Sequence, residues 1–260
     1  METLATHEWS PAGRDPHGPV AVLVHGVTGW HRTWWRVGPA LAAQGWRVVA
    51  VDQRGHGRSP RVARAATIDD LADNLEAAIE RHATPPIDLL VGHSLGAVVS
   101  MRLVLRRPDI GRRLVLEDPP SIDRAADEAF FASVRDGVRA AVEAPASETG
   151  RELAENPRWL EEDARQDVEG RALADAEGIV ASLRRPRPFA VMEAAADLAV
   201  PTLFVLADEE RSVLVGSARA RLRAALPATC RIREFDSSHT IHRDRFDEYL
   251  AATVEWASAR

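Results

Sequence analysis

Short, continuously apolar runs recur along the chain, and each ends in a small or polar residue. Val20-Ala21-Val22-Leu23-Val24 ends in His25-Gly26, residues 47–51 end in Asp52, and residues 87–91 run into Gly92. Residues 113–116 end before Glu117, and residues 202–206 before Ala207. A sixth run, 230–235, alternates more with polar positions. Such runs suit strands buried on both faces of a parallel sheet. Between them the apolar spacing is helical over 33–44, 68–82, 95–107, 212–226 and 243–257. Thr67 stands three residues before Asp70, the pattern of an N-terminal capping box. Strands alternating with helices predict an α/β fold with a doubly wound, mostly parallel sheet. Glu8-Trp9, before Pro11-Ala12-Gly13, predicts an antiparallel edge strand.

One segment breaks the alternation. Residues 119–198 hold no convincing strand and are rich in Ala, Glu, Asp and Arg at helical spacing, with breaks near Pro145, Pro157 and Pro186. The pattern predicts three or four helices inserted after the fourth parallel strand. Ligand sites form at the carboxyl ends of parallel strands, so an insertion there is expected to act as a lid. The expected organisation is a core of residues 1–118 and 199–260 with a helical lid of residues 119–198.

Composition changes this picture little. The formal charge of −6 argues against a nucleic-acid or anionic-membrane surface. The basic side chains are all arginine, which we attribute to codon bias rather than function. Cys230 is the single cysteine, so no intramolecular disulfide can form, and a reducing cytoplasm is the expected compartment. Residues 1–19 are polar and lack an apolar stretch of signal-peptide length, and no run is long enough to span a bilayer.

The most informative stretch is Gly92-His93-Ser94-Leu95-Gly96, a G-x-S-x-G pattern between a predicted strand and a predicted helix. In that setting the serine hydroxyl is exposed at a sharp turn. Glycines on either side let the backbone turn tightly and pack closely. Leu95 opens the helix, so its N–H and the helix dipole can stabilise an oxyanion. A serine hydroxyl needs a base to take its proton, and the chain has nine histidines to choose from.

Four segments occur in an order that resembles the α/β-hydrolase superfamily. They are His25-Gly26 after the first apolar run, Asp52-Gln53-Arg54-Gly55-His56-Gly57-Arg58-Ser59 after the second, the Ser94 pentapeptide after the third, and Ser238-His239 near the end. The resemblance covers nearly the whole chain except the lid region. It implies Ser94 as nucleophile, His239 as base, with His242 as fallback, and an oxyanion hole built from the backbone N–H groups of Val27 and Leu95. His56 is expected to play a structural part, and His93 to line the turn or the pocket.

Two places in this superfamily supply the acid that orients the histidine. One is the loop Ala207-Asp208-Glu209-Glu210-Arg211, where Glu210 falls in the usual slot with Asp208 beside it. Ala207 stands there in place of the usual glycine, and the acids beside Arg211 also suit a solvated turn. The other is Asp118, in Leu116-Glu117-Asp118-Pro119-Pro120, the place used by some esterases and by zearalenone-type lactonases of the superfamily. Asp118 is preferred, with Glu210 and Asp208 left open. Trp30, Trp34 and Trp159 are candidate pocket residues, which would favour an apolar or aromatic acyl group.

No Cys/His cluster has metal-ligand spacing, and Gly55-x-Gly57 lacks the third glycine of a dinucleotide site. No metal and no cofactor are expected. The implied activity is hydrolysis of a small-molecule carboxylic ester or lactone through an acyl-enzyme. A carbon–carbon bond hydrolase using the same triad and a non-enzymatic ligand-binding protein on the same fold are the rivals. Haloalkane dehalogenase and epoxide hydrolase chemistry need an aspartate where Ser94 stands.

Overall fold

The apolar runs become strands and the helically spaced segments become helices. The structure, a computed structural model, describes residues 3–11, 18–120, 128–185, 194–214 and 216–259. Its strands are β1 (Thr6–Trp9), β2 (Val20–Val24), β3 (Arg47–Val51), β4 (Leu89–His93), β5 (Leu114–Glu117), β6 (Thr202–Leu206) and β7 (Arg231–Glu234). They form one seven-stranded sheet in the order β1-β3-β2-β4-β5-β6-β7. The neighbours from β3 to β7 pair in parallel. β1 alone runs antiparallel, with Thr6 opposite Val51 and Trp9 opposite Val48.

Helices cover both faces: α1 (Val37–Ala43), α2 (Ile68–His82), α3 (Leu95–Arg106) and, after an insertion, α8 (Ser217–Ala225), the short α9 (Ile241–Asp244) and α10 (Phe246–Ser258). Val22, Val24 and Leu90 pack with Leu75 of α2 and Val98 and Met101 of α3. Ala21, Leu23, Leu89 and Val91 pack with Trp34, Leu41 and Tyr249 on the other face. Alternate residues of each central strand therefore enter different apolar layers, which is why these strands read as unbroken hydrophobic runs. β7 lies at the edge and keeps polar side chains.

α2 begins where the capping pattern predicts. The Asp70 N–H donates to Thr67 Oγ1 at 3.0 Å, and the Thr67 N–H donates to Asp70 Oδ2 at 2.8 Å. Other boundaries differ. β4 runs on to His93, so the turn begins at Ser94 itself. Residues 33–44 divide into a 3-10 turn, His31–Trp34, and α1. The helix expected over 212–226 starts only at Ser217, because Ser212 and Val213 are bound to a carboxylate described below.

Between β5 and β6 stand α4 (Glu128–Glu143), α5 (Pro145–Glu155), α6 (Glu161–Leu173) and α7 (Ala176–Leu183). Pro145 opens α5, and Pro157 lies in the turn before α6; the expected break near Pro186 falls outside the described residues, as does the Ala12-Gly13 turn. These helices sit on loops at the carboxyl ends of the strands. Trp30 Nε1 donates to the Gln166 carbonyl at 3.0 Å, and Trp35 Nε1 donates to Asp163 Oδ1 at 2.9 Å. The Asp175 N–H donates to the Gly55 carbonyl at 2.8 Å. Gly170 permits this docking, because a Cβ there would stand 2.9 Å from the Thr28 carbonyl oxygen. Among the described residues no helix is long and apolar enough to cross a membrane.

Thr67→Ala removes one half of the α2 capping box. We expect a loss of about 1 kcal/mol in stability, read as a lower urea midpoint at unchanged m-value.

Candidate active site

The turn after β4 is dictated by what lies around it. A side chain at Gly92 would collide with the Gly96 carbonyl, and one at Gly96 with the Val24 carbonyl, so α3 can seat directly against β2 and β4. Ser94 joins strand to helix at φ 53° and ψ −117°, a conformation that L-residues rarely adopt. Its N–H donates to the Glu117 carbonyl at 2.9 Å, which pins the turn to β5. Leu95 is the first residue of α3, so its N–H has no acceptor within the helix.

The end of β2 supplies the facing turn. The Gln53 N–H donates to His25 Nε2 at 3.0 Å, so His25 carries its proton on Nδ1 and donates it to the Gly26 carbonyl at 2.7 Å. The Gly29 N–H donates to that same carbonyl at 3.2 Å. In a trans peptide C=O and N–H point in opposite directions. Fixing the Gly26 oxygen toward His25 and Gly29 therefore turns the Val27 N–H the other way. A Cβ built on Gly26 would stand 3.0 Å from Ser94 Cβ, so this peptide lies beside the serine.

Asp118 and His239 meet across the sheet edge. His239 Nδ1 donates to Asp118 Oδ2 at 2.6 Å, which leaves Nε2 of a neutral imidazole with a lone pair. The His239 ring lies 4.6 Å from that of His93, the neighbour of Ser94, and His93 Nε2 donates to the His239 carbonyl at 3.2 Å. Asp118 is fully buried at φ 41°. Besides His239 it accepts from Ser212 Oγ at 2.6 Å, the Val213 N–H at 3.1 Å and the Ala207 N–H at 3.4 Å.

The loop after β6 thus contributes donors rather than an acid. Asp208 accepts from the Glu210 N–H at 3.0 Å and lies 3.6 Å from Arg211, and Glu210 is exposed. The geometry puts Asp118, of the three candidate acids, at His239.

Several functional neighbours escaped sequence reasoning. Ser212 reads as a helix start, yet it holds Asp118. His242, the fallback base, is buried with Glu117: its backbone N–H donates at 2.9 Å and its Nδ1 lies 2.9 and 3.0 Å from the two carboxylate oxygens. Consecutive acids at the end of β5 thus fix two histidines three residues apart. Two acids closing an otherwise apolar strand were the available signal. Asp236, near His239, accepts from Arg158 of the inserted segment at 3.0 Å and from Arg245 at 2.7 Å, and also pairs with Arg211. The hydrogen bonds from Arg211 and Arg158 hold its carboxyl down at about 2.

The tryptophan expectation needs correction. Trp30 and Trp34 are buried in packing, Trp30 tied to Gln166 and Trp34 with its ring 4.8 Å from that of His242, tilted by 40°. Trp159 lies under Arg243 at 4.4 Å, and His93 is wedged between His239 and His242. None of the four is among the residues that line the cavity beside the elbow; Trp30, Trp34 and His93 are buried, whereas Trp159 is half-buried. Among the described residues no group of three or more His, Cys, Asp or Glu is placed to hold a metal ion.

Burial sets the charge of the surrounding imidazoles. It lowers the pKa of His25, takes His56 down to about 3, and puts His93 and His242 well below the ordinary histidine value. Burial pushes Glu117 the other way, upward.

A strained serine between a parallel strand and a helix, facing a fixed turn after the neighbouring strand, with a histidine–carboxylate pair on the next edge, defines an α/β-hydrolase architecture. The chain belongs to the alpha/beta hydrolase fold family, whose profile matches residues 19–246. It is similar to epoxide hydrolase B of Mycobacterium tuberculosis, 36% identical over 105 residues, or 40% of this chain and 29% of that protein. It is also similar to 2-(acetamidomethylene)succinate hydrolase of Mesorhizobium japonicum, 34% identical over 121 residues, covering 46% and 43% of the two chains. These matches span less than half of each relative's length. The crystal structure of E-2-(acetamidomethylene)succinate hydrolase shares the fold with a TM-score of 0.77 at 24% identity, over 98% of this chain and 95% of that one.

The neutral buried histidines link stability to pH. Below 6.5 the unfolded chain protonates histidines that the fold keeps neutral, so stability falls as pH falls. For His56 the loss is about 1.4 kcal/mol per pH unit below that value. His25, His93 and His242 act in the same direction, and the buried carboxyls of Glu117 and Glu152, both shifted upward by burial, oppose them. We expect the urea midpoint to drop between about pH 7.5 and 5.5; a midpoint that rises over this interval contradicts the assignment of these histidines as neutral.

Proposed function

We propose that the protein is a serine hydrolase that cleaves a small-molecule carboxylic ester or lactone, with Ser94 as nucleophile, His239 as base and Asp118 as the acid. The observation that carries this reading is the 2.6 Å bond from His239 Nδ1 to the buried Asp118 carboxylate, on the same sheet edge as Ser94 in its strained turn. The bond fixes the tautomer in which Nε2 accepts the Ser94 proton. Ser94 Oγ attacks the carbonyl, and the Val27 and Leu95 N–H groups bind the developing oxyanion. His239 returns its proton to the leaving alcohol, then deprotonates a water that hydrolyses the acyl-enzyme.

Helices α4–α7 serve as the lid in this reading, supported by their contacts with the loops after β2 and β3. The name of the Mesorhizobium relative supports amide cleavage as a second reading, since the same acyl-transfer steps apply with an amine as leaving group. Epoxide opening, named for the Mycobacterium relative, is not part of the proposal, because Ser94 occupies the elbow where that chemistry requires an aspartate. A cytoplasmic location completes the reading, consistent with the buried, lone Cys230.

We expect a fluorophosphonate probe to label the wild type and not Ser94→Ala. Ser94→Ala lowers kcat on p-nitrophenyl esters by up to about 10⁶. Asp118→Asn lowers it by about 10⁴, whereas Glu210→Gln and Asp208→Asn have little effect. Unlabelled wild-type protein without turnover of esters or lactones points to a ligand-binding protein. Labelling without such turnover, followed by cleavage of a β-diketone, points to the carbon–carbon hydrolase.

Oriented by the Asp118 bond, His239 is far more important than His242, whose imidazole is engaged with Glu117. We expect His239→Ala to approach the Ser94→Ala loss in kcat, with His242→Ala retaining most activity per folded molecule. A large loss at His242 alone, in variants matched for folded fraction by circular dichroism, overturns the choice of base.

A further inference from the structure

A cavity of about 120 Å³ opens beside the elbow, and its shape and charge point to what the substrate carries away from the reacting carbonyl. One end is marked by Leu95, whose N–H is assigned to the oxyanion. The cavity is lined by Leu95, the neighbour of Ser94, but not by Ser94 or His239. Its course follows α3 as far as Arg102, seven residues on, about 10 Å at the rise of an α-helix. Ile68, Leu71 and Leu183 make the walls between apolar.

The far end is cationic. Arg102 donates to Asp69 at 2.7 and 3.2 Å, and Arg106, outside the lining, bridges Asp69 at 3.2 Å and Asp73 at 2.7 Å. Arg185, two residues beyond α7, reaches the same region, where its Nη1 donates to the Ala65 carbonyl at 3.2 Å and its charge acts on Asp70. Arg54 is a third guanidinium in the lining, against Asp69 as the one carboxylate. A partly apolar cavity that runs from Leu95, beside the elbow, to Arg102 and Arg185 complements an acyl chain ending in an anion. The planar guanidinium fork matches a carboxylate in particular.

We propose that the substrate is an ester whose acyl chain lies along α3 in this cavity and ends in a carboxylate held at the Arg185 rim. The proposal rests on the serine-hydrolase reading for its chemistry, and on the cavity alone for its specificity. Because Arg185 comes from the inserted helices, the insertion itself selects the anionic chain.

The test compares the p-nitrophenyl ester of octanoate with the p-nitrophenyl monoester of suberate, chains of equal length that differ in the terminal carboxylate. We expect kcat/KM to favour the monosuberate at least tenfold at low salt, and the preference to shrink with added sodium chloride. Arg185→Met should cut the preference by about tenfold and Arg185→Glu should invert it. A wild type that prefers octanoate, or a ratio insensitive to both substitutions, overturns the proposal and leaves the triad reading intact.

Calorimetric titration of suberate into Ser94→Ala protein separates the two readings. Binding that is lost in the Ser94→Ala/Arg185→Glu double variant supports the cavity assignment even where neither ester is turned over, the result that sinks the ester-hydrolase reading instead. No binding of suberate to Ser94→Ala together with no ester preference removes the carboxylate-terminated substrate.

Discussion

The fold's carboxyl edge is organised around one buried negative charge. A carboxylate removed from water is tolerated only where donors replace its hydration. Asp118 has four: the His239 ring, the Ser212 hydroxyl and the N–H groups of Val213 and Ala207. These come from two loops far apart in sequence, after β6 and after β7. Satisfying this charge therefore brings the ends of three adjacent strands to one point and orients the imidazole as a by-product. Replacing the donors with apolar groups would strand the charge, so the loop after β6 is constrained in conformation although it lends no acid.

Backbone strain is concentrated at the same edge. Among the described residues the non-glycine positions with positive φ are Thr28, Ser94 and Asp118, one after each of β2, β4 and β5. Such conformations cost of order 1–3 kcal/mol each and persist only where the surroundings over-determine them. The surroundings here are identifiable: α3 seated through Gly96 against Gly92 of β4 and Val24 of β2, the Gly26 carbonyl held by His25 and Gly29, and the Asp118 N–H bonded to the Val205 carbonyl at 2.8 Å. The central strands, buried on both faces, provide the rigid frame against which the turns are strained.

What could be read in the sequence was local. The strands, the capping box of α2 and the Ser94 turn are each encoded within a few residues, by apolar runs, by Thr67 and Asp70, and by Gly92 and Gly96. Asp118 was visible as a candidate because it follows an apolar strand, but its preference over Glu210 and Asp208 depends on how residues 207–214 coil. That coil is set by Ser212 reaching back 94 positions to Asp118, a contact with no periodicity to announce it. The same limit hid the pairing of Glu117 with His242, and it made Trp30 and Trp34 look like pocket residues when tertiary packing had already claimed both faces of their rings. Local patterns name the chemistry available at a strand end; long-range donors decide which group is used.

The inserted helices belong to the same network rather than resting above it. Trp30 and Trp35 follow the turn that carries Val27, and their indole N–H groups are bonded to α6. Asp175, at the start of α7, accepts from the Val62 N–H at 2.9 Å while its own N–H holds the Gly55 carbonyl, so the loop after β3 is fixed from above. Arg158 ties the turn before α6 to Asp236, three residues before His239. The loops after β2, β3 and β7 are thus each fastened to the insertion. A displacement of α6 therefore loads the Val27 turn and the segment before His239, and a displacement of α7 loads the loop after β3, which couples the position of the inserted helices to the geometry of the sheet's carboxyl edge.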